Sequence, residues 1–160
     1  MANQSIGTDQ FDQMDIRAEI FATLAMSKHP KTQEIQNSIR IDALSRHGYL
    51  IYHAGLASLG KFGDNERKNL AIRMASRDSE SYWYWDDTAD MAIYARLLIQ
   101  SGDRTKGISI ITDLLRNINL ESYYVSTQSK IQLFMALIEI GGKNTPLSFE
   151  MNTGALKIPV

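Results

Sequence analysis

The chain has 160 residues, 44% hydrophobic and 22% charged, with a formal net charge of −1 and no cysteine. That length suits one domain burying about two-thirds of its unfolded surface. The near-zero charge gives no electrostatic case for nucleic acid or an anionic membrane as partner, and the missing cysteines exclude disulfides, thiolate metal sites and a cysteine nucleophile.

The opening MANQSIGTDQ has neither a basic nor an apolar targeting stretch. No apolar run reaches the roughly 18 residues of a membrane span. The expectation is a cytoplasmic protein, or a chain that starts downstream of its targeting segment. Thr8 or Asp9 caps a first helix to about Ser27, carrying Phe11, Met14, Ile16, Ala18, Ile20, Phe21, Leu24 and Ala25, with Pro30 as its break. Thr32 caps a second helix to about Arg46, with Ile35, Ile39 and Leu44 on one face, ended by Gly48. A third, Tyr49 to Leu59, is apolar nearly all round and is followed by Gly60 and Gly63, both suited to left-handed stops. Asp64 opens a polar fourth helix to about Arg77, with Leu70 and Met74 as a thin stripe. After a linker over 78–85, the fifth helix runs from Asp87 to Ser101 and stops at Gly102. The sixth, Asp103 to Asn117, shows a one-sided stripe of Ile108, Ile111, Leu115 and Ile118. The seventh runs from Ser126 to Gly141. In the tail, Leu147, Phe149 and Met151 alternate with polar residues, Asn152-Thr153-Gly154 is a turn signal, and Leu156 and Ile158 alternate again, which predicts a short β hairpin. The division is therefore residues 1–141, helical, and 142–160, a loop and hairpin that pack on the helices or lead to a neighbouring β domain.

The helices share a frame. Gln10, Tyr49, Thr88 and Thr127 are successive, equally spaced starts; Ile20, Leu59, Leu98 and Leu137 are equivalent core positions; and Gly63, Gly102 and Gly141 are equivalent stops, with Leu24 where the first repeat lacks its glycine. A fixed spacing of this kind, close to that of known two-helix repeats, marks stacked helical hairpins. Helices in the frame are apolar on most sides and those between are one-sided, which predicts inner and outer layers.

Few residues suggest chemistry. Asp86-Asp87-Thr88-Ala89-Asp90 is a D-D-x-x-D pattern that could hold Mg²⁺ against a diphosphate, as in isoprenoid synthases. Acids at a helix start also cap free N–H groups and complement the dipole, and that reading is favoured. His29, His47 and His53 are not paired at helical spacing, and none is near the acidic cluster in sequence. Tyr82-Trp83-Tyr84-Trp85 is either a recognition surface or, as favoured here, a seal at the entry of the fifth helix. No phosphate-cradling glycine loop and no partnered nucleophile is present, so no catalytic residue, cofactor or metal site is assigned.

Tyr82-Trp83, the acids, Thr88-Ala89, Ala92 and Leu97-Leu98 resemble one helix of the thioester-bearing domain of the alpha-2-macroglobulin family. Ile110 to Arg116 resembles its outer helix, and Tyr124-Val125-Ser126-Thr127-Gln128 with Leu133, Ala136 and Leu137 is similar to its aromatic-x-S-T-Q opening of an apolar helix. The similarity covers about residues 80–141; residues 10–77 agree in repeat pattern alone. It implies an all-α, α/α-toroid-like array of inner and outer helices, here its C-terminal part. The parent would be a protease-trapping inhibitor of the bacterial type, periplasmic or bound to the cell envelope. Its partners would be target proteases and other domains of the same parent chain. In the family a protease cuts a bait region, the molecule rearranges around it, and a Cys–Gln thioester can bond the prey. Lacking cysteine, this chain can form no thioester of its own. Ser126, Thr127 and Gln128 are expected to act structurally, as a hydroxyl cap and its neighbours. Seven helices make about half of a six-pair ring, so an exposed apolar face is expected, covered by residues 1–30 or by self-association into a homo-oligomer. A stand-alone helical-repeat scaffold that binds protein is the alternative, and a Mg²⁺-dependent diphosphate enzyme using Asp86, Asp87 and Asp90 is the third reading.

Overall fold

The computed structural model describes residues 6–75, 87–118, 125–141, 151–152 and 157–158. It is all-helical in character. Among the described residues seven α-helices follow in order: α1 Ile6–Met26, α2 Thr32–Asn37, α3 Arg46–Ser58, α4 Asp64–Ala75, α5 Asp87–Gln100, α6 Arg104–Asn117 and α7 Thr127–Gly141. A 3₁₀ turn, Ile41–Ala43, lies between α2 and α3. Two two-residue strands, β1 Met151–Asn152 and β2 Lys157–Ile158, pair antiparallel. The turn that would join them, and the rest of the expected hairpin, lies outside the described residues.

The inner helices pack in sequence order: α1 on α3, α3 on α5, α5 on α7. Three apolar clusters mark these junctions. Ala18, Phe21 and Ala25 of α1 meet Tyr52 and Leu56 of α3. Leu50 of α3 joins Ile93, Tyr94, Leu97 and Leu98 of α5, with Leu70 of α4. Ala92 and Ala95 of α5 join Leu133 and Ala136 of α7, with Ile111 of α6. Helix α5 has junctions on both sides and is buried over most of its length. Helix α4 buries Leu70 alone, and α6 buries Gly107 and Ile111, as outer helices should. Together this is an all-α, helical repeat-like arrangement, with α1, α3, α5 and α7 in a row and α4 and α6 packed on it.

Helix junctions this tight need small residues. A Cβ placed on Gly55 would lie 2.5 Å from Phe21 Cε1 and 3.1 Å from the Ala22 backbone, so α3 can approach α1 there only without a side chain. The helix stops share one motif. Gly60 and Gly102 have φ of +69° and +94°. Around them Lys61 N donates to Leu56 O and Asp103 N to Leu98 O, closing the same C-terminal motif. Helix α1 ends in that motif too, with His29 N donating to Leu24 O, although Lys28 at φ +52° takes the glycine's place.

Several expectations need correction. Gly63 is not the stop of α3: Gly60 is, and Gly63 N instead donates to Glu66 Oε2 at 3.0 Å, half of a capping box at the start of α4. The single helix expected from Thr32 to Arg46 breaks after Asn37. Ser38 Oγ donates to Ile35 O, and Arg17 Nη1 reaches Ser38 O from α1, so the last carbonyls are satisfied without further helix. Helix α3 begins earlier than Tyr49, because Ser45 caps it by accepting from Gly48 N at 3.0 Å. On α6 the buried stripe is turned by one residue, with Leu114 packed inward and Leu115 exposed. Ile20 is exposed rather than core, since none of the described helices packs over that side of α1.

Repeats are also tied by arginines. Arg67 of α4 donates to Ser101 O at 3.3 Å, just past the end of α5, and Arg104 of α6 donates to Ile140 O in the last turn of α7. Each outer helix thus places a cation at the negative end of the next inner helix.

Candidate functional site

Two polar places interrupt the apolar inner layer. The first lies where the inner helices begin. Asp15 of α1 accepts from Ser45 N at 3.0 Å and from the Ser45 hydroxyl. Next to it, His47 Nδ1 stands 2.7 Å from Asp90 Oδ1, linking the first turn of α3 to that of α5; both side chains are buried. Arg46 Nε lies 3.7 Å from Asp90 Oδ2, and Arg46 Nη1 3.6 Å from the exposed Asp87. One repeat on, Ser126 Oγ accepts from Ser129 N at 3.0 Å and opens α7.

This corrects the histidine reading. His47 does meet the acidic cluster, 43 residues away in sequence, because the start of α3 packs beside that of α5. It also bears on the D-D-x-x-D pattern. Asp90 gives both oxygens to His47 and Arg46 and is turned inward, whereas Asp87 faces solvent. A shared metal needs both carboxylates open to it. Among the described residues no group of three His, Asp or Glu is placed to hold a metal ion. Asp86 and the run Tyr82-Trp83-Tyr84-Trp85 lie outside the described residues. Thr127 and Gln128 lie in the first turn of α7, behind the Ser126 hydroxyl that accepts from Ser129 N.

The second place is a hollow shared by all four inner helices. Ala22 and Met26 of α1, Ile51 and Ala54 of α3, Ile93 and Leu97 of α5 form its apolar wall, around a hollow of about 130 Å³ that is partly open to solvent. It follows the repeat: Ala54, Ile93 and Gln132 line it and occupy the same position in three successive repeats. One cation projects here. Arg96 Nη1 donates to Gln132 Oε1 at 3.1 Å, while Arg96 Nε is buried with no hydrogen-bond partner among the described residues. Burial holds the guanidinium below its usual basicity, and the Glu139 charge partly opposes that. Glu139 itself accepts from Gln100 Nε2 at 3.2 Å, a pair one repeat apart.

An apolar wall with one under-satisfied arginine suits an anionic group carried on an apolar body, such as a carboxylate. The signal in the sequence was a lone arginine within Met91-Ala92-Ile93-Tyr94-Ala95-Arg96-Leu97-Leu98-Ile99. His53 plays no part in either place: it is buried against Tyr49, Tyr52 and Phe62, its Nδ1–H donating to Tyr49 O at 2.8 Å.

No protein-family model, no curated protein and no solved structure matches the chain.

Proposed function

We propose that the chain is a non-catalytic interaction domain, and that it belongs to a protease-trapping protein of the alpha-2-macroglobulin type. One observation supports this reading above the others: the inner helices stack in a constant sequence frame, and Ser126 of the family-like Ser-Thr-Gln opening serves as the cap of α7. The buried polar residues bind one another and bridge helices, which is how a rigid wall is built rather than a reaction centre. Such a protein would work in the periplasm or at the cell envelope. The test is the parent protein, identified from the reading frame around these residues and incubated with a protease. A trap suppresses cleavage of a large protein substrate and leaves cleavage of a small peptide substrate intact. Equal loss of both, no loss of either, or a reading frame confined to these 160 residues would reject this reading.

The Arg96 hollow supports a second reading, a stand-alone helical-repeat scaffold whose inner face binds protein. Its probe is N-acetyl-leucine against N-acetyl-leucine amide, followed by NMR shifts of the Arg96 Nε–H. Binding of the carboxylate alone, lost in Arg96→Met, fits the scaffold; equal response to acid and amide counts against it.

A further inference from the structure

The repeat frame states which way each inner helix faces. Gly55 and Leu59 look from α3 towards α1, Gly55 against Phe21 and Leu59 against the Ala18–Phe21–Ala25 cluster. Their equivalents one repeat on, Tyr94 and Leu98, pack in the junction of α5 with α3. The next pair, Leu133 and Leu137, packs in the junction of α7 with α5. These positions are thus the backward face of an inner helix, used three times over. One repeat earlier they fall on Ile16 and Ile20 of α1, which are 55% and 44% exposed.

The forward face is legible in the same way. On α5, Ala92 packs towards α7 and Arg96 donates to Gln132 of α7. One repeat later these positions are Ile131 and Met135, exposed by 49% and 39%. Ile138, one turn on, is 36% exposed, and Phe134 lies in the same face. Where α5 carries an arginine towards its neighbour, α7 carries a methionine, so this face is mainly apolar, with Glu139, the equivalent of Gln100, at its C-terminal end. End repeats of a soluble array ordinarily carry polar outer faces, whereas here Ile16 and Ile20 stand exposed beside Gln13 and Arg17, and Ile131, Met135 and Ile138 stand exposed on α7. Contiguous apolar surface at helical spacing marks an interface.

We infer that the forward face of α7, built on Ile131, Met135 and Ile138, docks the backward face of α1, built on Ile16 and Ile20, of a second copy of this chain. The contact continues the α5–α7 junction across two molecules. It is heterologous, head to tail, and each copy keeps one face of each kind for a further neighbour. This inference concerns these 160 residues by themselves; in a longer parent of the proposed kind, neighbouring repeats of the same chain would compete for both faces.

Sedimentation velocity on the 160-residue chain tests it, up to about 100 µM, which covers the affinities of small transient interfaces. The wild-type chain should gain mass with concentration. Ile16→Glu and Ile131→Glu each remove one face and should each be monomeric. Mixed in equal amounts, they still hold one complementary pair of faces, and a dimer should form and grow no further. Ile20→Lys with Met135→Lys repeats the cross, and helix content by circular dichroism verifies that each variant folds. A wild-type chain that stays monomeric overturns the proposal, as would be seen if residues 142–160 covered α7. So does self-association that survives Ile16→Glu, the mark of a symmetric α7–α7 contact. A mixture that stays monomeric overturns it as well.

Discussion

His47 Nδ1 lies 2.7 Å from Asp90 Oδ1, and this buried bond joins the first turns of two successive inner helices. Leaving one member without the other would strand a polar group away from water, at a cost of about 3–5 kcal/mol. His47→Leu or Asp90→Leu alone should therefore lower the urea midpoint sharply. The double variant, with both groups replaced by apolar side chains, should regain most of the loss. If the two single losses simply add in the double variant, the pair is not a coupled unit.

Gly55 is a close approach of α3 to α1, and alanine there places a methyl group against the Phe21 ring and the Ala22 backbone. The ring can turn, but the backbone of α1 cannot give without moving the junction. Gly55→Ala should cost about 1–3 kcal/mol in urea unfolding, the usual penalty of overpacking. Unchanged stability would mean that the two helices separate freely, contrary to the continuity of their apolar cluster.

Lys28 holds φ at +52° where Gly60 and Gly102 close the other helices. A side chain in that region costs about 1 kcal/mol, so Lys28→Gly should raise stability by a similar amount with an unchanged m-value. A lower urea midpoint would show instead that the lysine side chain stabilises the end of α1.

These features show what the sequence carried and what it hid. The helical repeat and the stops at Gly60 and Gly102 were legible, because periodicity and glycine report local backbone needs, but the frame also named Gly63 as a stop and Ile20 as core, and neither is. The His47–Asp90 bond was hidden, since its partners are far apart in sequence and meet only when α3 and α5 pack side by side. The break after Asn37 was hidden for a similar reason: Arg17 of α1 supplies a donor to Ser38 O that no local pattern predicts. Arg96 was visible as a lone charge in an apolar helix, but its hollow requires all four inner helices to be placed.

Burial pushes the His53 imidazole below its ordinary value of 6.5, against the opposing pull of the Tyr49 carbonyl and the Glu66 charge. The folded state thus favours the neutral ring. Above 6.5 the ring is neutral in both states and its contribution is complete. As pH falls below 6.5 the unfolded chain gains a proton that the folded chain resists, so stability declines until the lowered folded value is passed. His53→Phe keeps a ring against Tyr49 and Phe62 but removes the titration. The thermal midpoint of the wild type should therefore fall relative to that variant as the pH drops through and below 6.5. Parallel curves over that window would rule out this role for His53.

Arg96 poses the opposite question, of a residue that stability alone would not choose. Its Nε is buried without a partner among the described residues, and one of its terminal nitrogens is held by Gln132. A buried donor left unsatisfied costs about 1–3 kcal/mol, and methionine offers similar length and flexibility with no such group. The neighbouring wall of Ile51, Ala54, Ile93 and Leu97 would accept the thioether. Arg96→Met should therefore leave the thermal midpoint unchanged or raise it, even as it removes any carboxylate binding in the hollow. A residue that the fold does better without is held there by what it binds. A clear drop in the midpoint of Arg96→Met would show that the bond to Gln132 and the attraction of Glu139 make the arginine a structural clamp between α5 and α7.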